Sequence, residues 1–129
     1  MNKYLYPSVI AFTVLGLVSC SANKDDHYYR KHPKELQQAL KTCREQQNAD
    51  AHCEKIKQLG GNLANLAYQL QYNPQGFGHK ILSLQQTIAQ QQLEIKNTSS
   101  SALKDSLAQN KAELADYLAV VKWLESPES

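Results

Sequence analysis

No apolar run in this 129-residue chain is long enough to cross a bilayer. The most apolar stretch, about 15 residues from Tyr4 to Val18, is interrupted by Pro7 and Ser8, whereas a spanning helix needs roughly 20. Aromatic residues are scarce, with two Phe, one Trp and seven Tyr, and Tyr4 and Tyr6 fall in that first stretch. So thin a supply of bulky residues disfavours a large enclosed pocket at this size. Neither sign of charge is in excess, since the formal net charge is +2. That balance is too near neutrality to argue for nucleic acid or for an anionic membrane surface as a partner. Strand-like alternation is missing as well, which points to an all-α chain.

Catalytic signatures are also lacking. Four histidines invite a search, but His27, His32, His52 and His79 make no His-Glu-x-x-His pair. No Gly-x-Ser-x-Gly elbow or phosphate loop occurs, and Gly76-Phe77-Gly78 is too short to cradle a phosphate. The expectation is a protein with no enzyme activity, catalytic residue, metal, cofactor or small-molecule substrate.

The start of the chain is informative. Lys3 precedes the apolar stretch, and Leu17-Val18-Ser19-Cys20 closes it, in the pattern of a secretory signal with small residues before the cut. That four-residue pattern resembles the lipobox of bacterial lipoproteins, in which the cysteine takes lipid through its thiolate and becomes the first residue of the mature chain. On this reading residues 1–19 are a signal peptide, Cys20 is the lipidation site and 20–27 are a polar tether. Stable anchoring needs more than one acyl chain, and a diacylated, N-acylated Cys20 would carry three. Ser21 follows the cysteine, where an aspartate would resemble an inner-membrane retention signal. Lipid-anchored placement on the outer membrane, facing the periplasm, is expected.

With Cys20 assigned to lipid, Cys43 and Cys53 remain as a pair. An exported protein favours a disulfide between them. The alternative is a redox or metal pair, but redox pairs normally have two intervening residues and here there are nine.

The rest of the chain reads as a single small helical domain over 28–129, made of a stapled hairpin (28–72) and a second antiparallel helix pair (77–126). Ordered structure is expected from Tyr28-Tyr29, which would be either an exposed recognition pair or a lid over the hairpin. His32-Pro33-Lys34-Glu35-Leu36 predicts a helix start with His32 at the cap and Pro33 in the first turn. Glu35 is expected to reach back to the cap amide. Leu36, Leu40 and Cys43 continue one stripe to about Glu45. A second stripe, Cys53, Ile56, Leu59, Leu63, Leu66 and Leu70, runs through Gly60-Gly61. These glycines could mark a kink, a break or a close helix contact. Tyr72-Asn73-Pro74 predicts a stop, followed by a Gln-rich helix from about Phe77 to Lys96. A serine-rich loop and a helix carrying Leu103 to Leu124 complete the chain.

The segment from Cys20 to Cys53 resembles the EexN family of entry-exclusion lipoproteins. The resemblance rests on the lipobox cysteine, the polar tether, Tyr28-Tyr29, His32-Pro33-Lys34-Glu35-Leu36, Leu40, Cys43 and Cys53. It implies a protein encoded with conjugative or type IV secretion genes that blocks redundant entry of the same element. It implies contact with an envelope or secretion-channel protein, with Tyr28, Tyr29, His32, Pro33, Glu35 and Leu36 as candidate contact or motif residues. A structural accessory of a secretion or envelope complex is the competing expectation.

Overall fold

The computed structural model describes residues 24–47 and 50–125. The expected signal peptide, Cys20, the first part of the expected tether and the final four residues lie outside that range. Five helices occur among the described residues, and none of those residues is in a strand. They are α1 (Asp26–Lys31), α2 (Pro33–Glu45), α3 (Ala51–Tyr72), α4 (Pro74–Asn97) and α5 (Ser101–Glu125).

α1 begins two residues earlier than the sequence suggests, so Asp26 and His27 are helical rather than part of the tether. The Asp25 carboxylate caps it, accepting from the Tyr28 amide at 3.0 Å. Six residues carry no readable periodicity, and α1 persists because it docks on other helices. α2 starts at Pro33 as expected, with His32 at the cap position. The His32 side chain makes no capping bond. Its Nδ1 lies 2.8 Å from the Tyr28 carbonyl oxygen and donates to it.

Cys43 and Cys53 form a disulfide that ties the end of α2 to the start of α3. Closing a loop of about eleven residues stabilises the fold by roughly 2.5–3 kcal/mol through chain entropy. Asp50 caps α3 through the Cys53 amide at 2.7 Å. The Gly60-Gly61 pair neither kinks nor breaks α3, which is one helix of 22 residues. Gly60 instead marks a close contact with Leu40 of α2. That contact and the disulfide run in opposite residue order along the two helices, so α2 and α3 are antiparallel.

α4 begins at Pro74 rather than near Phe77. Asn73 alone separates it from α3 and accepts from the Gly76 amide at 3.0 Å, while Pro74 suits the first turn. Ser100 caps α5 through the Leu103 amide at 3.3 Å. α4 and α5 pair antiparallel, as Phe77 against Tyr117, Lys80 against Glu113 and Gln91 against Ser106 show.

The leucine stripe of α3 forms the centre of the core. Ile56, Leu59, Leu63 and Leu66 join Tyr29 and Leu36 from one side and Phe77, Tyr117 and Val120 from the other in one cluster. Leu63 and Val120 are each 1% exposed, and full burial of such a side chain stabilises by roughly 1.5–3 kcal/mol. No helix among the described residues is long and apolar enough to cross a membrane.

Candidate functional site

The residues from Tyr28 to Leu36 assemble into one knot where α1, α2 and α5 meet. Tyr29 and Leu36 are buried in the core. Tyr29 therefore covers the hairpin as a lid, while Tyr28 is half-buried beside it. The Tyr28 ring stacks on His32 at 4.0 Å and meets Tyr29 edge-on at 5.7 Å. Its hydroxyl donates to Glu35 Oε1 at 2.7 Å. Lys24 donates to Glu35 Oε2 at 2.7 Å, and its ammonium lies 5.1 Å from the centre of the Tyr28 ring. Glu35 thus serves Tyr28 and Lys24 instead of the cap amide, because His32 N–H already donates to the Tyr29 carbonyl at 3.2 Å.

This arrangement shifts all three groups. The Lys24 hydrogen bond, and then that of Tyr28, hold the Glu35 carboxyl below its ordinary range. The Glu35 hydrogen bond raises both the Lys24 ammonium and the Tyr28 hydroxyl. The three groups are exposed to water on one side, so the shifts describe local order rather than a proton-transfer centre.

Two long-range contacts seat the knot on α5. Arg30 Nε donates to Asp116 Oδ1 at 2.5 Å, with both side chains largely buried. Trp123 Nε1 donates to the Arg30 carbonyl at 2.7 Å. Neither contact was readable from the sequence, because the partners are 86 and 93 residues apart and share no local pattern.

Asp26, His27, Tyr29 and Arg30 of α1 form one wall of an open groove of about 1120 Å³ shared with α3 and α5. His27, Lys55, Asn62 and Gln109 line its rim, with Ile56 and Leu59 at the floor. His52 also lines it, so the structure brings two of the four histidines to one groove. His52 adjoins Cys53, which is oxidised in the disulfide and cannot act as a thiolate ligand. Among the described residues no group of three His, Cys, Asp or Glu side chains lies close enough to hold a metal. The groove offers mixed charge around an apolar floor.

Of the sequence-predicted residues, Tyr28, Tyr29, His32, Pro33, Glu35 and Leu36 come together in the knot, and Cys43 and Cys53 pair farther along α2 and α3. Cys20 lies outside the described residues. Tyr68 and Tyr72 were missed. They are the most exposed of the large apolar side chains on α3, and their spacing of four, off the leucine stripe, was the available signal.

Together the helices, the staple and the knot define a small disulfide-bonded all-α module. No protein-family model, curated protein or solved structure matches the chain.

Proposed function

We propose that the chain is a bacterial envelope lipoprotein that acts by protein–protein contact, in entry exclusion associated with a conjugative or type IV secretion system. The observation that carries this reading is the placement of the Tyr28–Leu36 segment, whose likeness to EexN proteins first suggested it. Tyr28, His32 and Glu35 build the knot, and Tyr29 and Arg30 of the same segment line the open groove beside Asp26 and His27. A broad groove of that kind suits a macromolecular partner better than a small substrate, which is usually enclosed on most sides. Lipidation of Cys20 would hold the module on the outer membrane, with the contact face in the periplasm.

A mating assay tests the proposal. Recipients express the wild type, Cys20→Ala or an empty vector, and donors carry the native conjugative element. A drop in transfer of about tenfold or more that depends on Cys20 is the expected outcome. Equal transfer into recipients with correctly localised wild type and into empty-vector recipients overturns it.

The alternative of a structural accessory has one specific observation in its favour. Leu82 and Leu93 of α4 are 57% and 62% exposed and lie three helical turns apart on one face. Glutamine at both positions would impair an accessory contact and leave exclusion intact.

A further inference from the structure

The near-neutral balance of the whole chain conceals a separation of charge along α5. Lys104, Leu107, Lys111, Leu114, Leu118 and Lys122 follow one another at intervals of three or four residues. With 3.6 residues per turn they share a stripe about 80° wide that runs for about five turns. Asp105, Glu113 and Asp116 all lie about 100° or more from every member of that stripe. Glu113 and Asp116 are also engaged, by Lys80 and Arg30 respectively. Lys104, Lys111 and Lys122 are exposed, and no carboxylate among the described residues pairs with them. Only Glu125, in the last turn of α5, adds an acid to this side.

α4 continues the pattern. Lys80 meets Glu113 on the side of the α4–α5 hairpin that faces α3. Leu82 is about 200° from Lys80, so it lies on the other side, with the stripe. Leu93 and Lys96 fall within about 40° of Leu82. Leu82, Leu93 and Leu118 are exposed. α1 and α3 meet α5 elsewhere on its surface, through Asp116, Tyr117, Val120 and Trp123. The hairpin therefore turns a broad face of leucine and lysine away from the rest of the fold.

We infer that this face lies flat on an anionic membrane surface, its exposed leucines at the acyl boundary and its lysines among the lipid phosphates. The charge and the order of the residues select that occupant. A second copy fits poorly, because a two-fold interface on this patch would set its lysines against one another. A protein partner fits poorly too. Lysine is depleted from the centres of protein interfaces, yet Lys111 sits mid-stripe between Leu107 and Leu114. Nucleic acid would leave the leucines without apolar contact, and the stripe has no arginine or aromatic side chain for bases. A bilayer accepts the same two chemistries repeated along a whole helix. Lysine stems lie beside the leucines while their ammonium groups reach the headgroups, and anionic lipid attracts each of them. No described helix is long and apolar enough to cross, so the hairpin lies on the surface. The α1 groove, lined by Gln109, Glu113 and Asp116 from the opposite side of α5, then faces away from the membrane.

The test maps lysine reactivity in the full-length chain added to vesicles of phosphatidylcholine, alone or with about 30% phosphatidylglycerol. A water-soluble acetylating ester labels exposed amines, and mass spectrometry reads each site. Acetylation of Lys104, Lys111 and Lys122 should slow at least about threefold on the anionic vesicles, and high salt should reduce that protection. Lys41 on α2 and Lys57 on α3 should change little. Leu118→Gln should remove most of the protection, because apolar insertion is lost. That side chain is exposed, so the variant should fold, and circular dichroism verifies it. Equal rates on the two vesicle types overturn the assignment and leave Leu82 and Leu93 to the accessory contact. Equal slowing of Lys41 and Lys57 overturns it as unspecific attraction. Protection in detergent that grows with protein concentration overturns it in favour of a second copy. Protection untouched by Leu118→Gln overturns the docked geometry. Lipid compositions are compared within one chain, so the result stands with or without lipid on Cys20 and is independent of the mating assay.

Discussion

Gly60 and Leu40 touch so closely that a β-carbon on Gly60 would lie 2.7 Å from Leu40 Cδ1. Next to it, Gly61 has nothing within 4 Å of the same added atom. Both residues sit inside α3, where alanine is more favourable than glycine by roughly 1 kcal/mol. Gly61→Ala should therefore raise the unfolding free energy by about that amount. Gly60→Ala should fall short of it, because the Leu40 side chain must give way. In a Leu40→Ala background the two alanines should become equivalent. Denaturant titrations of the six proteins check this, and an undiminished gap in the Leu40→Ala background would contradict the assigned contact.

This pair also shows where sequence reasoning stopped. The leucine stripe from Cys53 to Leu70 made α3 legible, since a repeat of three and four survives two glycines. Whether the helix would bend at Gly60 depended on what α2 placed against it, and no local pattern encodes that. The start of α4 was misplaced because Phe77 opens the apolar repeat, whereas the physical start is set by the Asn73 cap and Pro74. The disulfide was readable from cysteine number and the expected export. The partners of Glu35 were not, because two acceptor oxygens can serve the cap amide or other donors and only tertiary packing decides. Lys24, lying in the expected tether, gave no hint that it would take one of them.

Arg30 and Asp116 should matter more than a surface ion pair. Their side chains are 13% and 15% exposed, and removal of one partner strands a charge in a poorly solvated place. Asp116→Ala should cost about 3 kcal/mol, the lower end for a broken buried pair. It should also loosen α1 from Trp123 and shift the tryptophan emission to longer wavelength, because Trp123 donates to the Arg30 carbonyl. Replacing both partners, as Arg30→Met with Asp116→Leu, should recover much of the loss. An Asp116→Ala protein within about 0.5 kcal/mol of wild type would place this contact among the weak surface pairs.

The knot around Glu35 predicts a pH dependence of defined sign. Glu35 is depressed in the folded chain, so its contribution is present above the ordinary glutamate value of about 4.3 and is lost as pH falls through its folded value. Lys24 is raised, so its contribution is present below about 10.4 and is lost as pH rises through its folded value. Tyr28, also raised, acts in the same direction as Lys24. Thermal midpoints of wild type and Glu35→Gln should differ most between those limits and converge toward both. A separation that stays constant from about pH 3 to 7 would mean that the carboxylate charge does not order this corner.

A polar layer between α4 and α5 gives the last prediction. Gln91 Nε2 donates to Ser106 Oγ at 2.9 Å, and Asn110 Nδ2 donates to Gln91 Oε1 at 3.0 Å. All three side chains are half-buried in a hairpin whose buried contacts are otherwise apolar. Such layers oppose slippage, because a shifted register would leave amides without partners. Asn110→Leu alone removes the donor to the Gln91 carbonyl oxygen and should cost about 1–2 kcal/mol. Leucine at both 91 and 110 should recover that cost, since Ser106 can turn its hydroxyl to a carbonyl of its own helix. If the layer sets register, the double variant should also lose uniqueness. Spin labels placed at Gln85 and Lys111 would then report more than one distance where the wild type gives one. A double variant that is stable and still has a single distance would show that apolar packing alone aligns α4 with α5, leaving the amides a local role.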